Sequence, residues 1–161
     1  MLGIGNEQEI SCMYTVKQYT PKLQNDIINF LEKVLPESGR KLDLEGRHCF
    51  LMHIPDVYDK FWCLYDGERL IGTVGIKRIT EQKCELKTLY LYCRYHGQGL
   101  GYQLLSTAIE YAKEAGYLEM YLDTLSISKR AIHLYESVGF TLTERYNDNF
   151  MSEIFMVLKL V

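Results

Sequence analysis

Apolar positions change their spacing several times along this chain, and each change marks an element. Leu23, Ile27, Phe30, Leu31 and Val34 recur at helical intervals. Thr20-Pro21 opens that run with a capping hydroxyl and a proline at the first helical position, and Pro36 stops it. The preceding residues 13–19 read as a strand. Residues 37–54 have no clear period; a second short helix over 42–52, closed by Pro55, fits them best. Strands follow over 60–65 and 69–79, with Asp66-Gly67 as the hairpin signal between them. After a turn at Glu81-Gln82, a longer strand covers 83–92. Leu104, Leu105, Ala108, Ile109 and Ala112 then line one face of a helix that Gly116 ends. A strand over 118–124 and a helix over 128–137 come next, the helix with Ala131, Leu134, Tyr135 and Val138 inward and Gly139 at its end. Strands over 140–146 and 154–160 close the chain as an antiparallel pair. Residues 1–12 lack periodicity and read as a flexible leader to one domain over 13–161. The order β-α-α-β-β-β-α-β-α-β-β predicts a three-layer mixed α/β domain.

Composition narrows the function more than the fold. The 161 residues are 47% apolar and 24% charged, ordinary for a soluble globular domain. A net charge of -3 excludes a global basic footprint for nucleic acid, so any anion site must be local. The five cysteines are odd in number and lack a C-x-x-C spacing, which argues for free thiols in a reducing compartment and against a zinc site. No apolar run approaches the length of a membrane span, and no basic-then-apolar start marks a signal peptide. The expected setting is the cytoplasm, without membrane or nucleic-acid partners.

The most telling segment joins the strand over 83–92 to the helix after it. Gly97, Gly99 and Gly101 interrupt a run whose next residues are helical. Glycines there allow positive φ and close approach of a ligand to main-chain N–H groups. The helix adds its unpaired N–H groups and positive dipole end, which suits a pyrophosphate. Three phosphate ligands compete. A Walker A loop requires Lys-Ser/Thr after its last glycine, where this chain has Tyr102-Gln103. A dinucleotide fingerprint requires G-x-G-x-x-G near the start of a βαβ unit; the spacing here is G-x-G-x-G, late in the chain, although Asp123 lies at a suitable distance. A coenzyme A thioester is the third.

At this point the sequence resembles the GNAT-type N-acetyltransferase superfamily. The likeness rests on the element order, on Glu85-Leu86-Lys87 and Leu89-Tyr90-Leu91 before the glycine turn, on the turn itself, and on the run from Ala131 to Phe140. That run is similar to the family's A-x-x-L-Y-x-x-x-G-F signature. The resemblance as a whole covers roughly residues 14–160 and is strongest over 84–140. The resemblance implies an α-β-α fold with a mixed, mostly antiparallel sheet of about seven strands and about four helices. Two positions depart from the family pattern: His96 stands in the first, Gln/Arg, place of the glycine loop, and Ser128 where many members carry an asparagine that contacts the cofactor.

The activity so implied is acetyl transfer from acetyl-CoA to a primary amine of a small molecule, amino acid or protein, by direct attack in a ternary complex and without a metal. Main-chain groups of Leu89 and Leu91 would hold the pantetheine arm. His96, Gly97, Gln98, Gly99, Leu100 and Gly101 would cradle the diphosphate, with Ser128 nearby. Glu85 is the candidate general base, acting through water; it reads equally as a solvated carboxylate paired with Lys87 on the same strand face. Tyr135 is the candidate general acid for the thiolate, or else a core tyrosine. His96 could meet a phosphate when protonated or simply be solvated. Cys84 and Cys93 lie near enough for an acyl-cysteine, but neither has a base beside it in sequence. Arg40, Arg47 and Arg145 fall in segments that the resemblance implies border the acceptor; an arginine there could grip a carboxylate by two prongs, although a solvated arginine is the plainer reading of each. The 13 tyrosines suit an aromatic-lined acceptor site or a homodimer interface. A non-catalytic acyl-CoA-binding module is the alternative: it needs the glycine turn but neither Glu85 nor Tyr135.

Overall fold

The computed structural model describes residues 14–161, so the expected leader over 1–12 and the start of the first strand at Met13 lie outside the described residues. Seven strands form one sheet: β1 (Tyr14–Gln18), β2 (Lys60–Asp66), β3 (Arg69–Arg78), β4 (Lys83–Leu91), β5 (Glu119–Thr124), β6 (Thr141–Leu142) and β7 (Ile154–Lys159). Their order across the sheet is β1-β2-β3-β4-β5-β7-β6. Only β4 and β5 run parallel, because the helix between them provides the crossover that parallel neighbours require.

Helices α1 (Gln24–Val34) and α3 (Leu100–Glu114) cover opposite faces of this sheet. Trp62 packs on Tyr111 of α3 with ring centroids 5.4 Å apart, whereas Tyr65, an odd number of residues along β2, reaches Asp26 of α1 at 3.1 Å. Side chains of alternate residues in a strand face opposite ways, so the two contacts define a three-layer arrangement. Strand β3 is buried from Leu70 through Ile76 because it is covered on both sides. Two short helical pieces complete the set: α2 (Ile54–Val57) and, after β5, α4 (Lys129–Ser137).

The structure corrects four sequence expectations. Residues 42–52 form turns followed by a 3-10 segment, Cys49–Met52, in place of a helix. Asp43 is the cause: its carbonyl receives the N–H groups of Gly46 and His48, and its carboxylate that of Arg47, a local alternative to helical bonding. Pro55 does not close an element but sits in the first turn of α2, where its missing N–H is no loss. The hairpin after β2 turns on Gly67-Glu68, with Gly67 at φ 59° and Asp66 still paired to Arg69. Finally, the strand expected over 140–146 stops after Leu142. Beyond it Tyr146 and Asn147 turn inward to carboxylates described below. Of the inner stripe of α4 only Tyr135 is buried; Ala131, Leu134 and Val138 pack half-buried against the core, with Leu134 beside Gly101 at the start of α3.

A feature absent from the sequence reading shapes the centre. Between Thr73 and Gly75 of β3, strand β4 spends one extra residue, with Thr88 at φ 58°. Such a bulge bends its strand and changes the face to which later side chains point. Lys87 pairs with Gly75 and Tyr90 with Thr73, so Tyr90 regains the α1 face that Glu85 and Lys87 occupy. Two hydroxyls fix the bulge: Thr73 Oγ1 donates to the Thr88 carbonyl at 2.7 Å, and the Tyr58 and Thr88 hydroxyls bond at 2.5 Å. Strands β4 and β5 then pair only through Lys83–Glu119, Cys84–Met120 and Glu85–Tyr121. Past that point they part and leave a cleft.

Gly75 lies under this bulge with no room for a side chain. A Cβ there would stand 2.6 Å from two Tyr58 ring carbons and 2.9 Å from Phe61, and Tyr58 is held by Thr88. Gly75→Ala should therefore lower unfolding stability by about 1–3 kcal/mol, the usual cost of overpacking. Urea denaturation of both proteins measures it, and an unchanged midpoint would refute the packing argument.

Candidate active site

The glycine turn lies where the sequence located it, at the end of β4 and the start of α3. Gly97 and Gly99 take φ of 83° and 78°, a left-handed conformation that other residues adopt only with strain. The main-chain N–H groups from Gly97 to Tyr102 have no hydrogen-bond partner among the described residues; the first helical donor is Gln103, to Gly99. A row of free donors at a helix N-terminus is an anion site in waiting. Gly101 already belongs to the helix, where a Cβ would make ordinary contact with Leu134 at 3.4 Å. The buried Leu100 anchors the turn to the core. The guanidinium of Arg130, from the first turn of α4, lies 4.0 Å from where a Gly97 Cβ would be. It brings a positive charge to the turn that sequence reasoning did not single out.

Side chains around the turn are partly engaged. A ring nitrogen of His96 lies 3.2 Å from the Leu91 carbonyl, so the imidazole folds back over the end of β4. Gln98 accepts a hydrogen bond from Tyr14 at 2.9 Å. Ser128 forms the N-cap of α4 without a side-chain capping bond. Leu89 and Leu91 are half-buried on the stretch of β4 that has left β5, and there the main chain presents an unpartnered strand edge toward the cleft.

At the fork between the strands sits a buried polar network. Glu85 is only 6% exposed. One carboxylate oxygen accepts from Tyr146 at 2.6 Å and from Asn147 Nδ2 at 3.1 Å; the other lies 3.6 Å from Lys87 Nζ. The ion pair read from the sequence is present, yet Glu85 is not a solvated carboxylate. Asn147 Nδ2 also donates to Asp123 at 2.6 Å, so a single amide bridges two acids. Asp123 further accepts from Asn149 at 3.0 Å and Ser152 at 2.7 Å. These bonds pin residues 147–152 over the ends of β4 and β5. Burial first, then the charge of Glu85 and the hydrogen bond to it, pushes the Tyr146 phenol well above its usual range, which keeps it the donor.

Tyr135 faces the cleft from α4. Among the described residues its hydroxyl has no hydrogen-bond partner, and no fully buried side-chain nitrogen or oxygen lacks one; the hydroxyl therefore opens to accessible space. Burial raises its pKa above the ordinary phenol value, with the neighbouring Tyr90 adding to the rise and Arg40 opposing it. Cys84 is fully buried, and desolvation pushes its thiol up to about 12, so it makes a poor nucleophile. The exposed Cys93 has its thiol raised as well, by burial and by Glu37. The three arginines separate: Arg40 donates to Tyr90 at 3.1 Å inside the cleft, Arg145 binds the carbonyls of Asn149 and Ser152, and Arg47 is exposed.

Sequence reasoning singled out Glu85, Tyr135 and the glycine turn; it gave Tyr90 and Asp123 no part in this network and did not single out Tyr146, Asn147 or Arg130. The usable signal was weak: Asn147, Asn149 and Ser152 are polar, yet their partners are distant in sequence. Among the described residues no group of three or more His, Cys, Asp or Glu side chains could hold a metal. No helix among them is long and apolar enough to cross a membrane.

Comparison with known proteins agrees with this geometry. The acetyltransferase of the GNAT family from Staphylococcus aureus Mu50 superposes with a TM-score of 0.82, at 22% identity, covering 92% of this chain and 99% of that one. A GNAT family acetyltransferase from Elizabethkingia anophelis, solved with acetyl-CoA bound, gives a TM-score of 0.65 at 17% identity over 91% of this chain and 98% of the other. In sequence, N-acetyltransferase 8B of Rattus norvegicus is 30% identical over 99 residues, which is 58% of this chain and 45% of the relative. The chain spans about half the length of such curated relatives. The family model for the acetyltransferase (GNAT) family matches residues 25–140, most of the sequence and all of the cleft up to Phe140. The chain belongs to the acetyltransferase (GNAT) family.

Proposed function

We propose that this protein transfers the acetyl group of acetyl-CoA to a primary amine of a small molecule, amino acid or protein, by direct attack within a ternary complex. The observation that carries the reading is the run of free main-chain N–H groups from Gly97 to Tyr102, on the turn that follows the strand bearing Glu85. Acetyl-CoA supplies an activated acyl group whose departure leaves a thiolate. The residues of this chain do the rest.

The diphosphate is held by main-chain donors of Gly97, Gln98, Gly99, Leu100 and Gly101, reinforced by the dipole of α3 and by Arg130. His96 and Ser128 flank it. Leu89 and Leu91 offer main-chain groups to the pantetheine arm in the manner of an added strand. A donor on that edge, aimed at the thioester oxygen, is worth about 2.7–4 kcal/mol where charge develops. Glu85 removes the ammonium proton through water, oriented by Tyr146 and Asn147. Tyr135 returns a proton to the thiolate, and its burial keeps it in the donating form. The high thiol pKa of Cys84 supports direct attack over an acyl-cysteine.

One observation favours the second reading, a non-catalytic acyl-CoA-binding module: the Glu85 carboxylate is already engaged by Tyr146, Asn147 and Lys87. Kinetics separate the two. Purified protein given acetyl-CoA and a panel of amines should release free thiol. Tyr135→Phe should lower kcat by about 10²–10⁴-fold, the span of general acid–base effects, with acetyl-CoA affinity unchanged by calorimetry; a binding module releases no thiol with either protein. Because the Tyr135 pKa is raised, its protonated form persists through pH 10. The wild-type rate should therefore show no falling limb between about pH 8 and 10, where an ordinary phenol near 10 would already begin to lose its proton.

Glu85→Gln keeps the shape and removes the base. Its kcat/KM should fall by about 10²–10⁴-fold, measured as thiol release against amine concentration. Wild-type turnover by this variant would reduce Glu85 to a structural group.

A further inference from the structure

One wall of the cleft carries positive charge that the protein leaves largely unanswered. Gly39, left-handed at φ 73°, ends the 3-10 turn after α1, and the Arg40 N–H closes on the Leu35 carbonyl at 3.0 Å. This sends the Arg40 side chain inward, half-buried, to donate from Nη1 to Tyr90 Oη at 3.1 Å. Among the described residues no carboxylate lies within 4 Å of it; the ion pair present is Lys87 with Glu85. A guanidinium has five N–H donors in a planar fork. One neutral hydroxyl leaves it under-satisfied for a charge partly withdrawn from water.

Its surroundings are cationic too. Lys87 stands on the same sheet face, over the Phe50 ring at 4.7 Å. The His48 imidazole is held below its usual range by burial and then by the charges of Arg47, Arg40 and Lys87, with Asp43 alone opposing. The Arg40 charge also opposes the rise of the Tyr135 phenol. Arg145 differs: its two prongs are taken by the carbonyls of Asn149 and Ser152, and it stacks on Phe155 at 4.5 Å. The Asn147 amide joins Glu85 to Asp123. Along one face of β4 the order runs from the acid Glu85 through Lys87 to Tyr90, which holds the Arg40 guanidinium.

We propose that the acceptor is a small amine that itself bears a carboxylate, of the free amino acid class, with the carboxylate on the Arg40 fork and the amine turned toward Glu85. The arrangement matches a zwitterion in charge order. Tyr90 Oη, accepting from Arg40, keeps its own proton to donate to the same carboxylate. A protein N-terminus, whose corresponding carbonyl is an amide, offers no negative charge there. The inference rests on the acetyl-transfer reading for its chemistry and on Arg40 for its selectivity.

The test compares free amino acids with their carboxamides, and with short peptides that begin with the same residues. Thiol release gives kcat/KM, and calorimetry on coenzyme A-loaded protein gives affinity without turnover. The expected preference for the free carboxylate is about 10- to 100-fold, the size of a charge-assisted pair. In Arg40→Gln that ratio should fall toward one, and in Arg40→Lys, which keeps charge but loses the fork, to an intermediate value. Acetyl-CoA affinity in each variant reports intact folding. Equal use of amides or peptides by the wild type, or a ratio that survives in Arg40→Gln, overturns the inference while leaving acetyl transfer intact. Carboxylate-selective binding without thiol release upholds the Arg40 carboxylate site and overturns the transfer reading, and with it the acceptor role.

Discussion

Two parallel strands that pair for three residues and then separate are the constraint on which this molecule depends. Main-chain groups that lose a neighbour must find another partner or face solvent, so a sheet does not open at its centre without compensation. Here the opening is enforced from β3. The extra residue at Thr88 lets β4 bend away, and Thr73 and Tyr58 hold the bulge by their hydroxyls. Gly75 makes room for the Tyr58 ring. Core packing, a bulge and a cleft are therefore one structural fact viewed at three scales.

The opening also sorts charge. On one side α3 begins with unpaired N–H groups and Arg130 close by, an environment for an anion. On the other face of the sheet, Glu85 and Asp123 share the amide of Asn147. Two carboxylates joined by one neutral donor would repel if left alone in a poorly solvated fork. Tyr146, Asn149, Ser152 and Lys87 spread that charge over further hydrogen bonds and an ion pair. A protein of net charge -3 thereby keeps a local positive site and a local negative one without a global field of either sign.

The same network explains why residues 143–153 are not a strand. Extending β6 would have held Tyr146 and Asn147 at the sheet's outer edge. By leaving the ladder after Thr143, the chain brings both side chains to Glu85 and covers the ends of β4 and β5. A short edge strand is also a poor template for unwanted pairing, so the interruption serves both the cleft and solubility.

Periodicity and punctuation determined much by themselves. Alternation, proline and glycine positions gave the element order, the α3 and α4 boundaries, and the glycine turn between β4 and α3, because these depend on residues near one another in the chain. The signature around Tyr135 and the position of Glu85 were legible in the same way. What only the folded molecule decided were pairings between distant residues: Glu85 with Tyr146, Asp123 with Asn147, Arg40 with Tyr90. Helix and strand at 42–52 and 140–146 were misread for the same reason, since an aspartate turn and a set of remote carboxylates outweighed local preference. Backbone geometry is a local matter that sequence spacing records, whereas the company a polar side chain keeps is set when the sheet brings its strands together.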